Sequence, residues 1–171
     1  MADDFPKTVV CNCGPLIALA GVNQLSLLSR LFNQIWVPAV VHQELTGSRR
    51  FANARTLFEQ PWLQIRNPLG SCDAFLAAQL DPGEAAVITL ARQLADTEVL
   101  IDERKARRVA ERVYGLHILG TGGLLLRAKA AGLVPGVRPL LTAMRKNGYH
   151  LSDRLLNAVC QAAGEAPAAA L

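Results

Sequence analysis

The sequence predicts an α/β fold in which helices cover both faces of a mainly parallel sheet. Three observations carry this. Short apolar, β-branched runs alternate with segments of helical apolar spacing, hairpin signals are almost absent, and several strand-like runs are continuously apolar, as in strands buried on both faces. Parallel neighbours need crossover connections, and alternation with helices supplies them. At 171 residues, with 51% apolar and 19% charged residues, the chain suits one well-cored domain and not a disordered one. We place that domain at residues 1–163 and read the alanine-rich stretch from Gly164 to Leu171 as a disordered tail.

Thr8 to Cys13 reads as a β-branched strand, and Gly14-Pro15 opens a helix through Leu16, Ile17, Leu19 and Ala20, because proline suits a first helical turn. Leu25 to Phe32 repeats the helical spacing. Ile35-Trp36-Val37 is a second strand, and Pro38 starts a helix that carries Glu44. Arg49 to Gln60 has the pattern of an amphipathic helix, and Trp62 to Arg66 alternates as a strand. Asp81-Pro82-Gly83-Glu84 opens a helical run, AAVITLARQLA. Val99 to Ile101 is a buried strand ending at Asp102, Arg104 to Tyr114 a basic helix, and His117 to Leu119 a strand ending at Gly120-Thr121. Helices follow over 123–131, 137–146 and 152–163.

Several function classes lose support. The four cysteines have neither zinc-site spacing nor the density of a disulfide scaffold, so reduced thiols in a cytoplasm are the plain reading. Cys11 and Cys13 flank Asn12 and should share the opposite, buried face. The uncharged stretch from Thr8 to Ser29 resembles a secretory or membrane segment, but Asp3 and Asp4 precede it and Asn12, Gly14 and Pro15 interrupt it; a cytoplasmic protein with no membrane span is expected. His42, His117 and His150 have no HxxxH or HExxH spacing. The net charge of +4 mildly favours polyanionic partners.

The notable feature is the acids. Asp102 follows a buried strand, Glu84 sits in a first helical turn, and Glu44 lies on a helix after a strand. In parallel sheets ligands bind beyond the carboxyl ends of strands, where Asn12 and Asp102 fall. Acids gathered there repel one another unless a hard divalent cation joins them. Each also has a plain structural reading: Asp81 to Glu84 is a capping box, Asp102 could cap the next helix, and Glu44 could be a solvated helix residue.

The segments VVCNCGPLIALA, IWVPAVVHQEL, LDPGEAAVITLARQL, VLIDERKARRVAERVYGLHILGTGGLLLRAKAAGLV and MRKNGYHLSDRLLNAV resemble, in order and spacing, a prokaryotic PIN-domain subfamily. This resemblance implies a three-layer α/β/α sandwich with four or five strands and an acid cleft that binds Mg2+ or Mn2+ to hydrolyse RNA phosphodiesters. Many relatives are toxins restrained by a small antitoxin protein. Carried over by position, Asn12 falls where most of the family has its first aspartate, Glu44, Glu84 and Asp102 fall on the other three acids, and Thr121 on a hydroxyl residue near the cleft. Glu44, Glu84 and Asp102 are then the metal ligands, while Asn12 and Thr121 assist. The amide at position 12 removes a negative charge, so a catalytically attenuated RNA- or protein-binding module is the alternative.

Arg104, Lys105, Arg108 and Arg112 are the candidate RNA-binding residues, since the spacing 104, 108, 112 aligns three guanidinium groups on one helix face. Asp81, Glu103 and Asp153 are candidate auxiliary acids with the solvated reading preferred. Gly120 to Gly123 resembles a phosphate loop but lacks its lysine. The apolar helices over 25–32 and 137–144 could serve a homodimer or simply form core.

Overall fold

A computed structural model describes residues 8–47 and 58–166. Its strands are β1 (Thr8–Cys11), β2 (Gln34–Val37), β3 (Leu63–Ile65), β4 (Thr97–Leu100) and β5 (His117–Leu119), and its helices α1 (Cys13–Gly21), α2 (Ser26–Leu31), α3 (Ala39–Gly47), α4 (Ala74–Gln79), α5 (Pro82–Arg92), α6 (Arg104–Arg112), α7 (Thr121–Ala130), α8 (Arg138–Lys146) and α9 (Asp153–Ala162). The five strands form one sheet in the order β3-β2-β1-β4-β5, and every pair is parallel. With helices on both faces this is the α/β/α sandwich that the alternation predicted.

β1 and β4 occupy the centre, and all eight of their residues are buried. Consecutive apolar side chains are needed there because both faces are covered. α4, α5 and α6 share the apolar cluster of Leu76, Ala85, Ile88 and Ala110. α1, α7, α8 and α9 belong to the main core, where Leu16, Leu19, Leu124, Leu125, Leu141 and Met144 are fully buried. Leu27, Leu28, Val137 and Leu141 are also core. The helices over 25–32 and 137–144 therefore spend these side chains on their own domain.

β4 begins two residues before the apolar run that marked it, at Thr97-Glu98. Glu98 lies inside because Arg127 of α7 meets it with two hydrogen bonds, of 2.7 and 2.9 Å. A bidentate guanidinium satisfies both carboxylate oxygens, so a charged residue fits a buried strand. Helix α4 was not anticipated. It is capped by Asp73, which accepts from the Leu76 backbone N–H (2.8 Å), the Tyr114 hydroxyl (2.7 Å) and Arg92 (2.9 Å), so its placement depends on partners far along the chain. Residues 49–57 of the expected helix over 49–60 lie outside the described residues. No helix among the described residues is long and apolar enough to cross a membrane.

Past α9 the chain stays in contact with the domain through Glu165. Gly164 closes α9 at φ +70°, and Glu165 then accepts from Lys129 Nζ (2.8 Å) and from the N–H groups of Val137 (2.7 Å) and Arg138 (2.9 Å). A carboxylate at the start of α8 takes up backbone donors that the helix itself leaves unpaired. Residues 164–166 thus belong to the packed domain, and 167–171 lie outside the described residues. These donors, Lys129 foremost, hold the Glu165 carboxyl at about 2 against its ordinary 4.5. A depressed folded-state value contributes stability that is present above about pH 4.5 and lost as pH falls towards 2. Glu165→Gln is expected to cost about 1–2 kcal/mol at neutral pH and to flatten the fall of Tm between pH 5 and 2.5, measured by circular dichroism. An acid limb as steep as that of the wild type would show that Glu165 is not its source.

Candidate active site

The sheet order reverses at β1: the chain runs from β1 to β2 on one side and returns through β4 on the other. Crevices form beyond the carboxyl ends of strands at such switch points. Asn12 follows β1 directly, with its N–H donating to the Leu100 carbonyl at 3.0 Å, and Asp102 follows β4. Glu44 stands on the helix after β2, and Thr121 opens the helix after β5. All four arrive at one edge because all the strands point the same way.

Glu44 and Glu84 are brought together by a missing side chain. A Cβ on Gly83 would stand 2.8 and 2.9 Å from the two Glu44 carboxylate oxygens, so the carboxylate lies against the bare first turn of α5. The positive dipole end of the helix favours an anion there. In the same turn the capping box is formed: Glu84 N–H donates to Asp81 Oδ1 at 2.8 Å and Asp81 N–H to Glu84 Oε2 at 3.2 Å. Glu84 is 6% exposed. Burial raises the Glu84 carboxyl, and the negative charges of Asp81, Glu103 and Glu44 raise it further. Glu44 is raised by burial first and then by Asp81. Both acids are thus raised chiefly by burial, with neighbouring carboxylates adding to it.

Cys13 departs from expectation. It is the first residue of α1 and no longer part of β1, so strand alternation does not bury it beside Cys11. Its thiol interacts with Glu44 and is pushed up to about 11, by burial and then by the charges of Glu44 and Asp81. Asn12 is 8% exposed, makes no side-chain cap to α1, and leaves its Oδ1 without a hydrogen-bond partner. Only Trp36 Nε1 shares that condition among the described residues. An unpaired buried amide oxygen is costly and calls for a donor or a cation.

Asp102 does not cap the helix that follows it. Glu103 does, accepting from the Ala106 N–H at 2.7 Å. Asp102 reaches across to α7 instead, where Oδ1 accepts from the Thr121 N–H at 2.8 Å and Oδ2 from the Thr121 hydroxyl at 2.6 Å. Thr121, 1% exposed, thus orients the acid. The Tyr149 hydroxyl lies against both and is raised by burial and the Asp102 charge. The sequence offered no signal for Tyr149, which comes from the loop between α8 and α9.

From Asp102 an open cleft of about 1430 Å³ runs between α6 and the α8–α9 region. Arg104, Arg107, Arg108 and Arg112 line it, and Tyr149, His150 and Arg154 face them. Lys105 does not line the cleft: one residue past Arg104, it is turned about 100° around the helix. Of the auxiliary candidates, Asp81 and Glu103 cap helices and Asp153 pairs with Arg145 on the surface. The glycines after β5 have another use than a phosphate loop. A Cβ on Gly122 would stand 2.8 Å from Val159 Cγ2, so it lets α7 approach α9.

Among the described residues no three His, Cys, Asp or Glu side chains stand close enough to enclose an ion. Glu44 and Glu84 form one group, and Asp102 with Thr121 another. Because Glu44 raises Cys13, Glu44→Gln is expected to lower the pH at which Cys13 becomes reactive. The shift is partial, since burial remains the larger cause. Iodoacetamide labelling followed residue by residue with mass spectrometry would read it, and an unchanged midpoint would place Glu44 away from the thiol.

No curated protein matches this sequence. A family model described as a PIN domain matches residues 8–165, which takes in every strand and helix of the described residues together with Asn12, Glu44, Glu84, Asp102 and Thr121. The chain belongs to the PIN-domain family, whose fold is nuclease-like.

Proposed function

We propose that this chain is a metal-dependent endoribonuclease that hydrolyses RNA phosphodiesters. The observation that carries the reading is Asn12 Oδ1, buried and without a partner at the switch point where Glu44, Glu84 and Asp102 also arrive. PIN domains are generally nucleases and typically use divalent metals; the donor types here suit such an ion, and holding one would draw together the two groups, Glu44 with Glu84 and Asp102 with Thr121. Carboxylate and amide oxygens suit a hard cation, which would also offset the burial and the neighbouring negative charge that raise Glu44 and Glu84. Glu44, Glu84 and Asp102 would hold Mg2+ or Mn2+, with the Asn12 amide oxygen as a neutral fourth donor. When bound, the ion supplies an activated water and offsets charge on the phosphorus oxygens.

The protein's own contributions follow from its contacts. Thr121 fixes both oxygens of Asp102, so the carboxylate keeps one orientation. The first turn of α5 steers Glu44 beside Glu84. The arginines of α6 offer a path for an RNA backbone through charge and without base selection, so binding should weaken steeply with salt. The replacement of an acid by Asn12 leaves the site one negative charge short, which favours a single, loosely held ion. A toxin restrained by a small antitoxin protein is the cellular role this reading favours.

Purified protein incubated with single-stranded RNA and Mn2+ should cleave it, EDTA should abolish cleavage, and Glu44→Gln or Asp102→Asn should lower kcat by about 100-fold or more. Expression should arrest growth and a co-expressed small neighbouring gene product should restore it. Wild type and variants cleaving alike would overturn the assignment. RNA binding without cleavage under any metal would favour the attenuated module.

A further inference from the structure

Arg107 of α6 is half-buried in the cleft beside Asp102. Its guanidinium rests on the bare Cα of Gly120: a Cβ there would overlap Nη1 and stand 3.4 Å from Cζ, and only 3.2 Å from Asp102 Oδ1. Arginine and acid therefore meet at one glycine. They do not pair, since both Asp102 oxygens accept from Thr121 and no ion pair or hydrogen bond joins Arg107 to another described residue. Partial burial of an unpaired guanidinium is unfavourable, yet surface arginines on the same helix remain solvated. The fork of donors is kept open, next to the acids, at the head of a basic cleft.

We infer that Arg107 is the receptor for the phosphate at the point of cleavage, holding its two non-bridging oxygens through the planar fork, and that Gly120 keeps its place open. A phosphodiester matches the fork's geometry, which a lysine ammonium does not. Asp102 attracts the guanidinium without consuming its donors, so the arginine is oriented before RNA arrives. Arg104, Arg108 and Arg112, further along the cleft, take neighbouring phosphates. The inference rests on the nuclease reading but is separable from it.

The test uses the whole protein and a short fluorescein-labelled single-stranded RNA, comparing wild type with Arg107→Ala, Arg107→Lys, Arg108→Ala and Gly120→Ala after equal Tm values establish folding. Affinity across a salt series and the single-turnover rate at saturating RNA with Mn2+ are the readouts. Arg107→Ala should lose about 100-fold in rate at saturation but under about 10-fold in affinity, with a salt slope smaller by about one. Arg107→Lys should recover affinity and little rate, Gly120→Ala should resemble Arg107→Ala, and Arg108→Ala should weaken affinity while saturation restores its rate. A wild-type rate for Arg107→Ala, or full rescue by lysine, overturns the proposal. If the wild type cleaves nothing, the nuclease reading fails separately and the salt slope decides: a drop of about one on loss of Arg107 supports phosphate capture, and an unchanged slope overturns it.

Discussion

β1 is the constraint on which the remaining structure depends. Its four residues are buried, it pairs in parallel with β2 from Thr8↔Gln34 and with β4 from Thr8↔Thr97 to Cys11↔Leu100, and it sits where the strand order reverses. A one-residue slip would turn its side chains to the other face and shift Asn12 relative to Asp102. The Asn12 N–H bond to Leu100 extends the ladder by one residue and fixes the two strand ends side by side. The crevice beyond them exists because the chain leaves β1 towards β2 and returns through β4.

Residues at this edge hold the fold and the candidate site at once. Glu84 closes a capping box and lies within the influence of three other acids. Asp102 binds the start of α7 and borders the cleft. The glycines are part of the same economy of space: Gly83 admits the Glu44 carboxylate and Gly120 admits the Arg107 guanidinium, and neither needs a positive φ. Raised carboxyls at Glu44 and Glu84 show that this edge is not arranged for greatest stability, as functional sites often are not.

Local chemistry made much of this legible. Apolar runs, the prolines at 15, 38 and 82, and the Asp81–Glu84 box set element type and order, because such signals act over a few residues. β4 starts ahead of its apolar run because Glu98, a residue of solvated type, is matched by Arg127, twenty-nine positions on. α4 carries no local mark because its cap, Asp73, is secured by Arg92 and Tyr114. Gly164 to Ala166 look like a loose end by composition, but Glu165 is fixed by Lys129 and the start of α8. In each case the deciding partner is distant in sequence.

The sequence by itself determined the α/β class and the parallel arrangement, since periodicity is a property of the chain, and its resemblance to the family singled out Glu44, Glu84 and Asp102 as a set. Only the tertiary structure decided how those acids divide. Glu44 and Glu84 lie together across Gly83, while Asp102 is turned towards Thr121, Tyr149 and Arg107. Directions of side chains depend on which helices approach which, and that is set by packing between segments that carry no mark of one another. Thus the stripe at 104, 108 and 112 could be read from helical period alone, whereas Arg107, the one arginine seated beside Asp102, became distinct only when β5 brought Gly120 beneath it.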